Sequence, residues 1–462
     1  MSASIETLLV LGASGDMVSR LLLPAVGQLL DQQPERRLLV IGTGMEDLSQ
    51  DDWLERVRAS FATVDAAGPA VEDVLDRTSY HQADVTDVDQ LRELLDRCEG
   101  TPALYFALPP AVTARVCTAL ADLELPEGLQ LALEKPFGVD HESAGALNAQ
   151  LAVLVSEDQV HRVDHFLGRS TVLNLLGLRF ANRIFEPLWN RDHIASVDIV
   201  YDEVLGLEGR AGYYDHAGAL VDMIQSHLLQ VMAIVAMEPP ATLDEADLRG
   251  AKAAVLRATH VAGGSPERSS RRARYTAGEV EDRTLPAYVD EDGVDPASET
   301  ETLAEVTFEI DSWRWAGVPF TLRSGKAMAA GRREIAITFR PVPQLPVGLV
   351  GAADPTVLRI YLAPDQLSLE LNINGEGDPY DLSRTVLGAT FGQGRLSAYG
   401  EVLEGILDRD PTLAVRGDTA VQCWQVVEPV LQAWRDGVVP VEDYPAGTSG
   451  PAGWAPLSPP AS

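Results

Sequence analysis

The chain has 462 residues, with 36 Lys plus Arg against 69 Asp plus Glu, a formal net charge of −33, and 46% hydrophobic residues against 23% charged. This excludes a disordered polyampholyte and a membrane-embedded chain, and the length suggests about two or three domains with substantial apolar cores. A strongly negative surface repels phosphate backbones and anionic lipid heads, so neither nucleic acid nor a membrane is an expected partner.

Residues 6–12 are a short continuous apolar run ended by glycine, as in a fully buried parallel strand. The turn Gly12-Ala13-Ser14-Gly15 and a helix-spaced segment, residues 16–30, follow, and then a second buried strand at 37–42. Strand, glycine turn, helix and strand within about forty residues make a βαβ unit. Runs at 103–108 and 129–134 extend the same parallel sheet. A helical block at 171–180, an alternating strand at 196–202 and a long apolar helix at 217–237 come next. Short β-like segments at 302–310, 318–322, 334–340, 357–362 and 367–372 then argue for a largely antiparallel sheet. Residues 262–300, rich in Gly, Ser, Arg and acids, read as a long exposed excursion, and the tail from Val438 as extended chain. The expected fold is an α/β Rossmann-type parallel-sheet domain over 1–170 and a larger α+β domain with a mainly antiparallel sheet over 171–462.

Only three of the 36 basic residues are lysine, Lys135, Lys252 and Lys326. A lysine kept against such a bias suggests a need for a compact ammonium with a tunable pKa, although chance suffices for any single one. Cys98, Cys117 and Cys423 fit neither a disulfide framework nor a zinc site and point to a reduced, cytoplasmic setting. No metal-ligand spacing is present. The first residues lack the basic n-region of a signal peptide, and the best apolar run, Leu228 to Met237, is too short for a bilayer.

The glycine turn sits where a Rossmann unit holds a dinucleotide pyrophosphate against backbone N–H groups at a helix N-terminus. A lone GxxG also serves as an ordinary tight turn, so its position after the first buried strand carries the argument. Residues 161–169 and 213–227 contain His161, His165, His216 and His227 together with Asp164 and Asp222. With Glu203 and two of the lysines, they suggest a polar site. On an α-helix, Asp222 and His227 flank one side only loosely.

Six ordered motifs carry a family resemblance: Gly12-Ala-Ser-Gly-Asp-Met, Glu134-Lys-Pro-Phe-Gly, Arg162-Val-Asp-His-Phe-Leu-Gly, Arg210-Ala-Gly-Tyr-Tyr-Asp with Asp222-Met-Ile-Gln-Ser-His, Trp313-Arg-Trp-Ala-Gly-Val-Pro-Phe-Thr-Leu-Arg-Ser-Gly-Lys, and Tyr444-Pro-Ala-Gly. Over nearly the whole length the chain resembles the glucose-6-phosphate dehydrogenase family. The resemblance implies oxidation of carbon 1 of glucose 6-phosphate with reduction of NADP or NAD, the first oxidative step of the pentose phosphate pathway. It makes His227 the base, Asp164 its carboxylate partner and Lys135 a catalytic neighbour of sugar and nicotinamide. Glu203, Asp222 and Lys326 become sugar ligands, and His165 and Arg169 phosphate ligands. Cofactor-binding residues are expected at Gly12, Ala13, Ser14, Gly15, Asp16, Met45, Glu46, Asp84 and Lys135. A homodimer or homotetramer is implied as well.

Departures from the family pattern bear on specificity. Phe166 replaces a usual Tyr and removes a hydroxyl, Arg169 replaces a usual Lys, and Ser226 replaces the Asn before the base. After the second strand, Met45 stands where NADP-preferring members carry an arginine, and Glu46 and Asp47 follow. A carboxylate there repels a 2′-phosphate and accepts a bond from the 2′-hydroxyl of NAD, so NAD use is expected. Alternatives are Ser14 or a distant arginine such as Arg77 holding the 2′-phosphate, another hexose substrate, a glucose-fructose oxidoreductase-type enzyme, and a catalytically silent paralogue.

Overall fold

The structure is a computed structural model and describes residues 4–375, 377–392, 394–455 and 457. The chain forms two compact units. One comprises Met1–Ser170, Pro240–Ala253 and Gln393–Trp424; the other comprises Thr171–Pro239, Ala254–Gly392 and Gln425–Ser462.

The first unit is built on six strands, β1 (Thr7–Leu11), β2 (Leu39–Gly44), β3 (Ser79–Gln82), β4 (Pro102–Phe106), β5 (Gln130–Leu133) and β6 (Val160–Arg162), in the order β3-β2-β1-β4-β5-β6. Every pairing is parallel. Successive side chains of these strands enter opposite cores, as the period of two requires. Leu8, Val10, Val40 and Tyr105 pack on one face, and Leu9, Leu11, Ile41, Leu104 and Phe106 on the other. Because both faces are covered, the strands read as continuous apolar runs.

The sequence suggests an uninterrupted second domain over 171–462, but two later segments belong to the first unit. For Gln393–Trp424 its own apolar residues explain the return. Leu396, Val402, Leu403, Ile406 and Leu407, mostly on the helix Ala398–Asp408, fill one face of the parallel sheet.

The second unit holds a ten-stranded sheet. In chain order its strands are β7 (Ile194–Asp202), β8 (Thr259–Val261), β9 (Ser270–Thr276), then, after the hairpin β10 (Gly278–Val280) and β11 (Arg283–Leu285), β12 (Leu303–Ile310), β13 (Phe320–Gly325), β14 (Arg333–Phe339), β15 (Val357–Leu362), β16 (Asp365–Asn374), β17 (Leu382–Thr390) and β18 (Val441–Pro445). The spatial order is β17-β16-β15-β14-β7-β13-β12-β9-β18, with β8 on β12. Only β7 with β13 and β9 with β18 run parallel. One face carries a ladder of buried ions: Arg359 meets Glu334 at 2.7 Å and also Glu370, while Arg323 meets Asp202 at 3.1 Å and Glu305 at 3.7 Å.

One expectation is corrected in part here. Residues 262–300 are an exposed excursion only in part: β9 lies inside the sheet with Ala273 and Tyr275 buried, and Tyr288 is buried beyond it, while residues 295–299 are exposed. The arginines that make this stretch look like a loop are structural: Arg272 donates to the carbonyls of Val439 and Trp434, and Arg271 pairs with Glu305. The tail from Val438 is extended over Val441–Pro445, where β18 pairs with β9; residues 456 and 458–462 lie outside the described residues.

The long apolar helix is composite. An α-helix Ala211–Ala219 kinks at Gly218, a π-helical segment covers Leu220–Leu228, and an α-helix completes Leu229–Ala236. Its 26 residues are long and apolar enough to cross a membrane, but most of its most apolar window is buried, as in a core helix.

Candidate active site

The expected site residues divide between the two units. In the first, Gly12 ends β1 with φ +85°, and a Cβ there would stand 2.4 Å from the Ala107 carbonyl oxygen. No other residue fits the turn. The N–H groups of Gly12 and Ala13 are spent on the Thr43 carbonyl, fixing the turn to β2, while Ser14, Gly15 and Asp16 lie at the helix start with Gly15 and Asp16 exposed. This cradle, at a helix N-terminus beside the central strand of a parallel sheet, fits a dinucleotide pyrophosphate.

At the other end of that cradle, Ser14 donates to the Glu46 Oε2 at 2.6 Å, and this bond holds the Glu46 carboxyl below its usual range. The Glu46 carbonyl accepts from the Tyr80 hydroxyl, and the Met45 carbonyl from Gln82. Arg56 donates to the Ser14 carbonyl. Arg77 is engaged by Asp73 and Glu99. Asp84 accepts from Thr86, whose bond lowers its pKa.

Lys135 directly follows Glu134 at the end of β5. Burial raises the pKa of Glu134, and its Oε1 accepts from the hydroxyls of Tyr105 and Tyr399, the latter at 2.6 Å. β6 runs straight into the tight turn that carries Asp164, His165 and Arg169. Asp164 is 1% exposed, and its Oδ1 accepts from the Phe166 N–H at 2.9 Å. The His165 ring stacks on Tyr399 with centroids 5.5 Å apart. Phe166 lacks the hydroxyl of a Tyr, yet its ring lies beneath the Arg169 guanidinium at 4.5 Å, a cation–π platform for that side chain.

In the second unit, Lys326 Nζ and Glu203 Oε2 pair at 2.8 Å at the ends of β13 and β7, and the ammonium lies 5.2 Å over the Tyr214 ring. Asp222 and His227 belong to the π-helical segment, where hydrogen bonds run from i to i+5. The residue five positions on therefore stands nearly above the first, so both side chains share one face, which an α-helix would allow only loosely. His227 is 2% exposed, and Asp222 accepts from the Tyr213 hydroxyl at 3.3 Å.

The structure adds neighbours that the sequence reading did not name as site residues. Tyr399 had no cue, being one aromatic in a helix far along the chain. Lys252 had one, the scarcity of lysine.

The family model of the glucose-6-phosphate dehydrogenase NAD binding domain matches residues 9–174, and that of the glucose-6-phosphate dehydrogenase C-terminal domain matches residues 176–458. The glucose-6-phosphate 1-dehydrogenase of Treponema pallidum (strain Nichols) is 36% identical, covering 96% of this chain and 92% of its own. The crystal structure of glucose-6-phosphate 1-dehydrogenase from Mycobacterium avium is 33% identical with a TM-score of 0.85, covering 97% of this chain and 96% of that one. A glucose-6-phosphate dehydrogenase in complex with its substrate glucose-6-phosphate is 30% identical with a TM-score of 0.86, covering 98% and 97%. Matched in both halves and over nearly its full length, the chain belongs to the glucose-6-phosphate dehydrogenase family.

Proposed function

We propose that this chain oxidises carbon 1 of glucose 6-phosphate to 6-phosphogluconolactone with reduction of a nicotinamide dinucleotide. The observation that carries the reading is the full-length likeness to a family structure holding that sugar phosphate. When bound, the dinucleotide supplies the hydride acceptor. His227 takes the proton of the carbon 1 hydroxyl as the hydride leaves the same carbon, and the C–O bond becomes the lactone carbonyl. Asp164 orients the imidazole and stabilises the imidazolium. Lys135 positions sugar against nicotinamide; Glu203, Asp222 and Lys326 bind hydroxyls; His165 and Arg169 hold the phosphate.

NAD serves at least as well as NADP. Glu46 supports this, as an ionised carboxylate tied to Ser14 where an NADP enzyme needs a cation. One observation favours NADP instead: Arg56, bonded to the Ser14 carbonyl, brings a positive charge near Glu46. Absorbance assays with glucose 6-phosphate and each cofactor decide between them. A hundredfold higher kcat/KM for NADP, about 2.7 kcal/mol, overturns the NAD reading. Binding without absorbance change marks a silent subunit.

A reduced cytoplasmic setting is proposed as well, supported by free thiols of which Cys117 and Cys423 are buried. A homodimer or homotetramer is supported by the edge strand β17, which exposes Val386 and Leu387. Sedimentation at several concentrations tests it.

A further inference from the structure

Lys252 is the lysine that no motif uses. It lies on the helix Glu245–Arg257 and is 2% exposed. Arg249, one turn earlier on that helix, docks it within the first unit: Arg249 bonds Glu245 at 2.9 Å and Glu157 at 2.8 Å, and Glu157 also holds Arg162 at 2.8 Å and the Gly417 N–H at 2.8 Å. Arg162 is the last residue of β6, two before Asp164. One carboxylate thus ties three pieces of chain together: the end of β6, the helix bearing Lys252, and the start of the helix Gly417–Arg435, which bears Cys423.

The strongest charged and titratable influences on the Lys252 ammonium come from Asp164, Arg249, Cys423 and Arg416. Among them Asp164 exerts the strongest field favouring the charged form, and Arg249 opposes it. Burial pushes the lysine down to about 8. The negative charge of Asp164 also opposes ionisation of the Tyr399 hydroxyl. A buried lysine without a task is costly. Neither Leu nor Met would need the surrounding carboxylate.

We propose that Lys252 is a positioning residue for the reaction: its ammonium, brought by a segment that returns to the first unit, keeps Asp164 ionised and sets the affinity of the Asp164–His227 pair for its proton. This rests on the reading of Asp164 as partner of the base. It also assigns a purpose to the return of Pro240–Ala253, which contributes no strand to the parallel sheet.

The sign follows from charge alone. Before the pair can act as base it must lose one proton. Removing a neighbouring positive charge makes that proton harder to lose, whichever atom carries it. The acid limb of the pH profile of kcat/KM for glucose 6-phosphate therefore moves upward by about one pH unit in Lys252→Met. Lys252→Arg, which keeps the charge, returns the limb towards the wild-type position. A Met variant whose limb coincides with wild type, or an Arg variant displaced as far as Met, overturns the proposal. If Lys252→Met does not accumulate as folded protein, Lys252→Gln carries the same expected shift and the same overturning result. Asp164→Asn separates the two readings. An Asp164→Asn enzyme with unchanged kcat removes Asp164 from the mechanism, whereas a slow Asp164→Asn enzyme beside an unshifted Lys252→Met limb removes only the role of Lys252.

Discussion

Asp222 and His227 stand one turn apart on a π-helical segment, so a spacing of five residues puts a carboxylate and an imidazole on one face of the same helix. That segment starts where the Leu220 N–H donates to Glu301 at 2.9 Å. Removing the imidazole should therefore cost the chemical step and little else. His227→Asn is expected to lower kcat by about 10²- to 10⁴-fold, the range of general base catalysis, with KM for glucose 6-phosphate within about threefold of wild type. Asp222→Asn should raise KM instead. A His227→Asn enzyme that keeps most of its kcat takes the base role away from this residue.

The Ser14–Glu46 bond makes the cofactor prediction specific. Glu46→Arg removes the carboxylate that repels a 2′-phosphate and supplies a guanidinium that can clasp it. The ratio of kcat/KM for NADP to that for NAD should rise by about a hundredfold, from a gain with one and a loss with the other. An unchanged ratio places the 2′ recognition elsewhere, with Arg56 the next residue to substitute.

Much of this was legible in the sequence because buried parallel strands are written as unbroken apolar runs; β1, β2, β4 and β5 fall within a few residues of where periodicity places them. β3 and β6 were missed since Ser79–Gln82 and Val160–Arg162 are short and polar. β9 was hidden by arginines whose charges are answered largely by residues outside the stretch, Glu305 and the carbonyls of Trp434 and Val439, with Glu299 helping Arg272 from within it. Local reading has no access to such partners. The same limit applies at the site. Motifs name Asp164 and His227, but Lys252 acquires meaning only when Glu157 docks its helix beside β6, and His227 stands nearly above Asp222 only through a π-helix that no spacing rule anticipates.

Arg169 lies over the Phe166 ring, and His165 meets that ring edge-on with centroids 5.0 Å apart. If these residues hold the phosphate, Arg169→Ala should raise KM for glucose 6-phosphate by about 10- to 100-fold, as losing a charge-assisted pair does, and change kcat much less. Phe166→Tyr keeps the platform and adds a hydroxyl, so its KM should stay level or fall. A KM indifferent to Arg169→Ala moves the phosphate site away from this turn.

Glu301 supplies a pH-dependent test of the segment that carries Asp222 and His227. Its carboxyl is buried at the kink, where a Cβ on Gly218 would lie 2.4 Å from its Oε1, and burial raises its pKa to about 7. In the unfolded chain it titrates near 4.5. Between these values the folded state binds more protons than the unfolded one, so the stability this group contributes is fully present below about 4.5 and is lost as pH rises through 7. Each pKa unit corresponds to about 1.4 kcal/mol, so the full loss is on the order of 3 kcal/mol. Glu301→Gln carries no titrating proton and can still accept the Leu220 bond through its amide oxygen. Relative to wild type it should therefore gain stability as pH rises from 5.5 to 8, read as a growing difference in urea midpoint at constant m-value. A difference that stays flat across that interval means that Glu301 is ionised in the folded protein at neutral pH.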